Sequence, residues 1–156
     1  NPHSVAFSPS GERAYSANHE SDSISVIDVA SNTVVTTVDV GLSPHALAAS
    51  PDGRLVAVAN YDDGTISFVE TIGNRTTMTI PAGPTPQHLT FSADSRRLYV
   101  VNEDTDVVTT VDVAAGAVMA TTPVGRSPRF VVATSDGTTL YVSNSVDGTV
   151  SVLDVS

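Results

Sequence analysis

The sequence has no cysteine and no tryptophan, and all seven of its basic residues are arginine. Without thiols the chain makes no disulfide, offers no thiolate to a metal and has no cysteine nucleophile. No apolar run approaches the roughly 20 residues that cross a bilayer as a helix, so no membrane insertion is expected. Positive charge is scarce: seven arginines face 17 acidic residues, for a net charge of −10. Such a surface repels phosphate backbones and anionic lipid, which argues against nucleic acid as a partner. Also missing are a Gly-x-Ser-x-Gly elbow, a phosphate-cradling glycine loop and a covalent haem motif, so no cofactor is expected.

What the chain does have is repetition. The stretch "SPDGRLVAVANYDDGTISFVE" from Ser50 matches "SPSGERAYSANHESDSISVID" from Ser8, "SADSRRLYVVNEDTDVVTTVD" from Ser92 and "TSDGTTLYVSNSVDGTVSVLD" from Thr134, at a spacing of 42 residues without a gap. Pro2, Pro44, Pro86 and Pro128 open the copies, and Asn18, Asn60, Asn102 and Asn144 stand sixteen residues further on. An acidic column (Asp28, Glu70, Asp112, Asp154) follows, and Gly41, Gly83 and Gly125 close the first three copies. A fixed period of this length implies stacked structural units, with 1–156 forming one domain or part of one, divided as 2–43, 44–85, 86–127 and 128–156.

Each copy holds four short strands. In the second these are Ala46 to Ala49, Leu55 to Ala59, Thr65 to Val69 and Arg75 to Ile80, rich in β-branched and small apolar residues. Ser-Pro-Asp-Gly at residues 50–53 suits a type I turn, and Asp63-Gly64 and Asp147-Gly148 mark the next hairpin. No segment has helical periodicity over a useful length. Four antiparallel strands per repeat, all-β, describe the blades of a β-propeller. Four blades are expected, the last without its outermost strand.

The core "YVVN" at Tyr99 to Asn102 and "YVSN" at Tyr141 to Asn144, with "PHSVAFSPSG" and "PHALAASPDG" before it, resembles the YVTN β-propeller repeat family. The first two copies depart from it locally, with "YSAN" and "VAVAN". A WD40 repeat fits poorly, since tryptophan is absent. The resemblance implies a propeller of surface-layer and other exported microbial proteins, and so an extracellular, cell-surface or periplasmic location. Related propellers include lactone-hydrolysing enzymes and haem- or quinone-dependent redox proteins.

An open arc of blades would leave two apolar faces in water. If each exposed about 500 Å², the lost burial would be roughly 25 kcal/mol, more than the typical net stability of a domain. The faces therefore need covers. The rest of a longer propeller chain, self-association of two copies into a closed eight-bladed ring, or closure alone as a four-bladed ring would supply them.

His3 and His45 follow the repeat-opening proline, and Gln87 and Arg129 fill the equivalent places. On strands lining the axis these four form a ring at one channel mouth, able to position an acidic ligand with Arg129 or to offer two imidazoles to a metal. Three or four ligands are the norm, so no metal is expected. His88, offset by one place, should point elsewhere by strand alternation, and His19 lies in a turn. The asparagine and acidic columns recur in every copy and read as structural. Carboxylates between the second and third strands match no twelve-residue calcium loop and read as turn formers. The expectation is a non-catalytic scaffold or interaction module, probed by its partners through one ring face or the channel mouth. The alternative is a lactonase-like metal-dependent hydrolase with its site at that mouth.

Overall fold

The computed structural model describes residues 1–156 as fifteen strands in four antiparallel sheets. Blade 1 is β1 (Pro2–Phe7), β2 (Arg13–Asn18), β3 (Ser23–Asp28) and β4 (Thr33–Asp39). Blade 2 is β5 (Pro44–Ala49), β6 (Leu55–Asn60), β7 (Thr65–Glu70) and β8 (Arg75–Pro81). Blade 3 is β9 (Pro86–Phe91), β10 (Arg97–Asn102), β11 (Val107–Asp112) and β12 (Ala117–Pro123), and blade 4 has only β13 (Pro128–Ala133), β14 (Thr139–Asn144) and β15 (Thr149–Asp154). Within each sheet the strands lie side by side in chain order. The single helical element is a three-residue 3₁₀ turn, His19–Ser21. The chain is an all-β propeller of four-stranded blades, the fourth lacking its outer strand.

Turn chemistry sets the hairpins. Gly53 N–H donates to the Ser50 carbonyl at 2.8 Å, closing the Ser-Pro-Asp-Gly turn, and Gly11 and Gly137 repeat the contact. Gly53 sits at φ +73, where a Cβ would be strained. Inside that turn the Ser50 hydroxyl donates to Asp52 and accepts from Leu55 N–H.

Three apolar cores lie between blades, not within them. Tyr15, Ala17, Ile24 and Val26 of blade 1 pack on Leu47, Val56, Val58 and Val69 of blade 2. Ala46, Ala57, Ala59, Ile66 and Phe68 of blade 2 pack on Leu89, Phe91, Leu98, Val100 and Val111 of blade 3. Tyr99, Val101 and Val108 of blade 3 pack on Val131, Leu140 and Val142 of blade 4. Side chains alternate along a strand, so each blade sends one set of columns forward and the other back. Both faces can then be apolar.

The crossovers into blades 2 and 4 are each gripped from both sides. Asp22 of blade 1 accepts Ser43 N–H at 2.9 Å, and Asp63 of blade 2 accepts Leu42 N–H at 2.7 Å. Asp106 and Asp147 do the same for Ser127 and Arg126, each at 2.7 Å. The turn carboxylates thus hold blade to blade. The residue before each later repeat-opening proline is left-handed: Ser43 at φ 54, Thr85 at 51 and Ser127 at 54.

Successive inner strands pack on one another from β1 through β5 and β9 to β13. Blades 1 and 4, however, do not close face to face. Val5 and Phe7 on one end, and Phe130, Val132, Tyr141, Val150 and Val152 on the other, are between 44% and 62% exposed. The arc is open, and closure alone as a four-bladed ring is not what the chain adopts.

Candidate functional site

The inner strand of every blade begins with a β-bulge. Pro2 pairs with Asn18 and Ser4 with Ala17, so His3 is an extra residue opposite no partner. The same slip leaves out His45, Gln87 and Arg129 in the other blades. Proline explains the position: it has no N–H to give a ladder and is tolerated at the first residue of an edge strand or at a bulge. A bulge re-aims the side chain it carries.

All four bulged residues line one recess at the axial end of the arc, a cavity of about 380 Å³ shared with Ser4, Ala46, His88 and Phe130. The sequence reading expected His88 to face elsewhere. The bulge breaks the alternation at Gln87, so Gln87 and His88 line the same cavity, with the His88 ring 5.0 Å from that of Phe130.

The histidines form a stepped ladder. Nδ1 of His3 donates to the His45 carbonyl at 3.1 Å, and Nδ1 of His45 donates to the Gln87 carbonyl at 3.1 Å. Each bond joins a blade to the next and makes Nδ1 the donor; on the neutral His45 ring Nε2 is then an acceptor. The two rings are tilted 3.9 Å apart, with His19 at 5.6 Å from His3 and Tyr61 at 5.4 Å from His45. Burial pushes the pKa of His45 down, opposed by its bond to Gln87, and burial does the same to His88. Both are therefore neutral at pH 7.

Glu103 organises the other side. Its carboxylate takes the Gln87 amide, the Ser127 hydroxyl at 3.0 Å and Arg129 Nη2 at 2.7 Å. Arg129 is the one full positive charge lining the recess, and its guanidinium keeps further N–H donors beyond the pair with Glu103. Glu103 and the His19 ring were not singled out as site residues from the sequence. Glu103 lies immediately after the column asparagine Asn102, where the other blades carry His19, Tyr61 and Ser145, and that departure from the repeat was the available signal. No three histidine, aspartate or glutamate side chains come together at metal-ligand spacing.

The asparagine column belongs to the blades themselves. Asn60 Nδ2 donates to Thr65 and Ser67, both at 2.9 Å, and Asn102 Nδ2 donates to Thr109 at 2.8 Å. The acidic column caps the hairpin to the fourth strand: Asp28 accepts Ser31 N–H and Asp112 accepts Ala115 N–H.

Fold and recess together define a β-propeller with a polar axial site. Residues 1–156 match the YNCE-like beta-propeller family over their whole length, and the chain belongs to that family. No curated protein matches it. Among solved structures it is similar to Kuenenia stuttgartiensis hydrazine synthase, at 24% identity and a TM-score of 0.95, covering 99% of this chain and 46% of that one. It is also similar to a protein of Bacteroides uniformis described as a candidate 6-phosphogluconolactonase, at 19% identity and a TM-score of 0.87, covering 99% of this chain and 50% of that one. The chain thus spans about half the length of each. At these identities the likeness is one of fold.

Proposed function

We propose that this chain is a non-catalytic recognition module that takes an acidic, hydroxyl-bearing group in its axial recess. The observation that supports this most is the convergence of His3, His45, Gln87 and Arg129, each delivered by its own bulge. Arg129 and the Gln87 amide supply donors for an acid. The Nε2 atom of His45, an acceptor on the neutral ring, suits a hydroxyl donor of the same ligand. Binding rather than turnover is favoured because the recess holds no nucleophile paired with a base. An exported or surface location rests on the resemblance to YVTN repeat proteins.

Gluconate, a polyhydroxy acid, is the probe, with acetate and sorbitol as controls for each half of its chemistry. Titrated against the labelled protein, gluconate should shift the His3 and His45 ring resonances saturably and at lower concentration than either control. Arg129→Ala should abolish the advantage over sorbitol. Equal responses to all three, or none, would sink this reading. The second reading, a metal-dependent lactone hydrolase, is prompted by the description of the Bacteroides uniformis protein. It predicts a rise in melting temperature with divalent ions and hydrolysis of gluconolactone above the buffer rate.

A further inference from the structure

The crossovers into blades 2 and 4 are tied down by carboxylates, and the crossover into blade 3, from Pro81 to Pro86, is not. Gly64 stands in the column of Asp22 and Asp106, and Thr105 in that of Asp63 and Asp147. Pro84, which has no N–H, stands where Leu42 and Arg126 donate theirs. The exchanges continue beside it. Val107 replaces the hydroxyls of Ser23, Thr65 and Thr149. Asn102 Nδ2 therefore has one hydroxyl partner, Thr109, where Asn18, Asn60 and Asn144 each have two. Val118 replaces Thr76, whose hydroxyl reaches the Asp39 carbonyl.

The polar ties lost at this one junction leave an apolar slot of about 440 Å³, walled by Pro81, Pro84, Val107 and Val118 with Thr109 beside them. On the other side of the same crossover lies a hollow of about 420 Å³ that holds Tyr61, Asp62 and Asp63. Pro81, Gly83 and Pro84 line both. Asp104 flanks the same ridge, its N–H donating to Thr85 Oγ1 at 3.1 Å. Asp62, Asp63 and Asp104 take part in no ion pair. The pKa of the Tyr61 phenol is pushed up by burial and by the carboxylates of Glu103, Asp104 and Asp62, as a negative field requires.

Uncompensated carboxylates thus adjoin an apolar slot across a single ridge of chain. We propose that this ridge docks an extended segment of a partner protein in which basic residues stand next to apolar ones. The cations of that segment lie over Asp62, Asp63 and Asp104, and its apolar side chains enter the slot beside Val107 and Val118. Charge complementarity selects the basic half, and burial against the valines and prolines selects the apolar half. Prolines at 81, 84 and 86 fix three backbone φ angles, so the ridge loses little freedom on binding. The inference does not rest on the function proposed for the axial recess.

Fluorescence anisotropy of a labelled peptide, Arg-Arg-Gly-Leu-Leu, and of its reversed sequence tests this on the 156-residue chain. At about 50 mM salt one of the two should bind saturably, roughly tenfold more tightly than Arg-Arg-Gly-Ser-Ser or Glu-Glu-Gly-Leu-Leu. Val118→Lys should weaken binding roughly tenfold, and Asp62→Asn about threefold. Ile72→Lys makes the same exchange at an exposed residue at the opposite end of blade 2, and should leave binding unchanged. Circular dichroism checks that each variant keeps its strands. In the isotope-labelled parent, the backbone amides of Gly83, Thr105, Val107 and Val118 should shift and those of His3 and His45 should not. Absence of binding, equal binding of the serine or glutamate peptide, or equal losses at 72 and 118 would overturn the inference. So would shifts at His3 and His45 in place of Gly83, or n-octylamine binding as tightly as the peptide, which would make the slot a site for small amphiphiles.

Discussion

Gly41 lies so close to Asn60 of the following blade that a Cβ built on it would stand 2.5 Å from the amide nitrogen. The same approach recurs 84 residues later, where a Cβ on Gly125 would meet Asn144 at 2.6 Å. Neither glycine has a positive φ, so the constraint is space and not backbone conformation. Gly41→Ala and Gly125→Ala should each destabilise by about 1–3 kcal/mol, the usual range for overpacking. Urea unfolding read by near-ultraviolet dichroism would measure it, and an unchanged midpoint would refute the close-approach explanation.

Removing the packing itself should cost more. Phe68 is fully buried between blades 2 and 3, so Phe68→Ala should cost about 3–5 kcal/mol. Ile72, on the hairpin to the outer strand, is 88% exposed, and Ile72→Ala should stay within about 0.5 kcal/mol of the parent. Similar losses at the two sites would mean that stability does not reside between the blades.

The asparagine column should grade with burial. Asn102 is fully buried with its amide on Thr109, whereas Asn18 is half-buried with the same kind of bond to Ser25. Loss of the amide at 102 strands a hydroxyl in the interior, which costs about 1–3 kcal/mol. Asn102→Ala should therefore exceed Asn18→Ala in a matched denaturation series.

Strain offers a change in the opposite direction. Thr85, β-branched at φ 51, lacks the carboxylate tie that Asp22 and Asp106 give Ser43 and Ser127, because Gly64 fills that column. Glycine adopts this conformation without the Cβ penalty. Thr85→Gly should raise stability by up to ~1 kcal/mol, less whatever the Asp104 N–H contact to its hydroxyl contributes. A clear loss in thermal unfolding would show that the hydroxyl outweighs the strain.

Acid should weaken the fold in two stages. His45 and His88 have pKa values depressed by burial, so the unfolded chain binds protons first. Their stabilisation is intact above the unfolded histidine pKa of about 6.5 and is lost as pH falls through their folded values. The second stage begins below about pH 4, as Asp52, Asp94 and Asp136 protonate. Hydrogen bonds from Ser50, Ser92 and Thr134 hold these three carboxyls low. Combining His45→Gln with His88→Ala, residues that the repeat itself uses at 87 and 46, should flatten the first stage alone. Urea midpoints between about pH 8 and 5 would decide.

Much of this architecture was legible in the chain. The strands expected in the second repeat, such as Leu55 to Ala59 and Thr65 to Val69, are β6 and β7 to within a residue. Apolar columns and turn residues carry that information locally. The recess was only half legible. Its four bulged residues share one column, but the bulge that brings His88 beside Gln87 follows from backbone pairing, and the proline marking it was read only as a repeat boundary. Glu103 was hidden because its partners Gln87, Ser127 and Arg129 come from two blades and a crossover.

The imidazole-to-carbonyl steps from His3 to His45 and on to Gln87 sit at the narrow end of each blade. Far from them, one hydroxyl contact, Thr76 to the Asp39 carbonyl, fastens the rim of blade 1 to that of blade 2. Blades pinned this way splay like cards held at one corner. Amide hydrogen exchange should then advance inward from β4, β8 and β12, and reach the hub last.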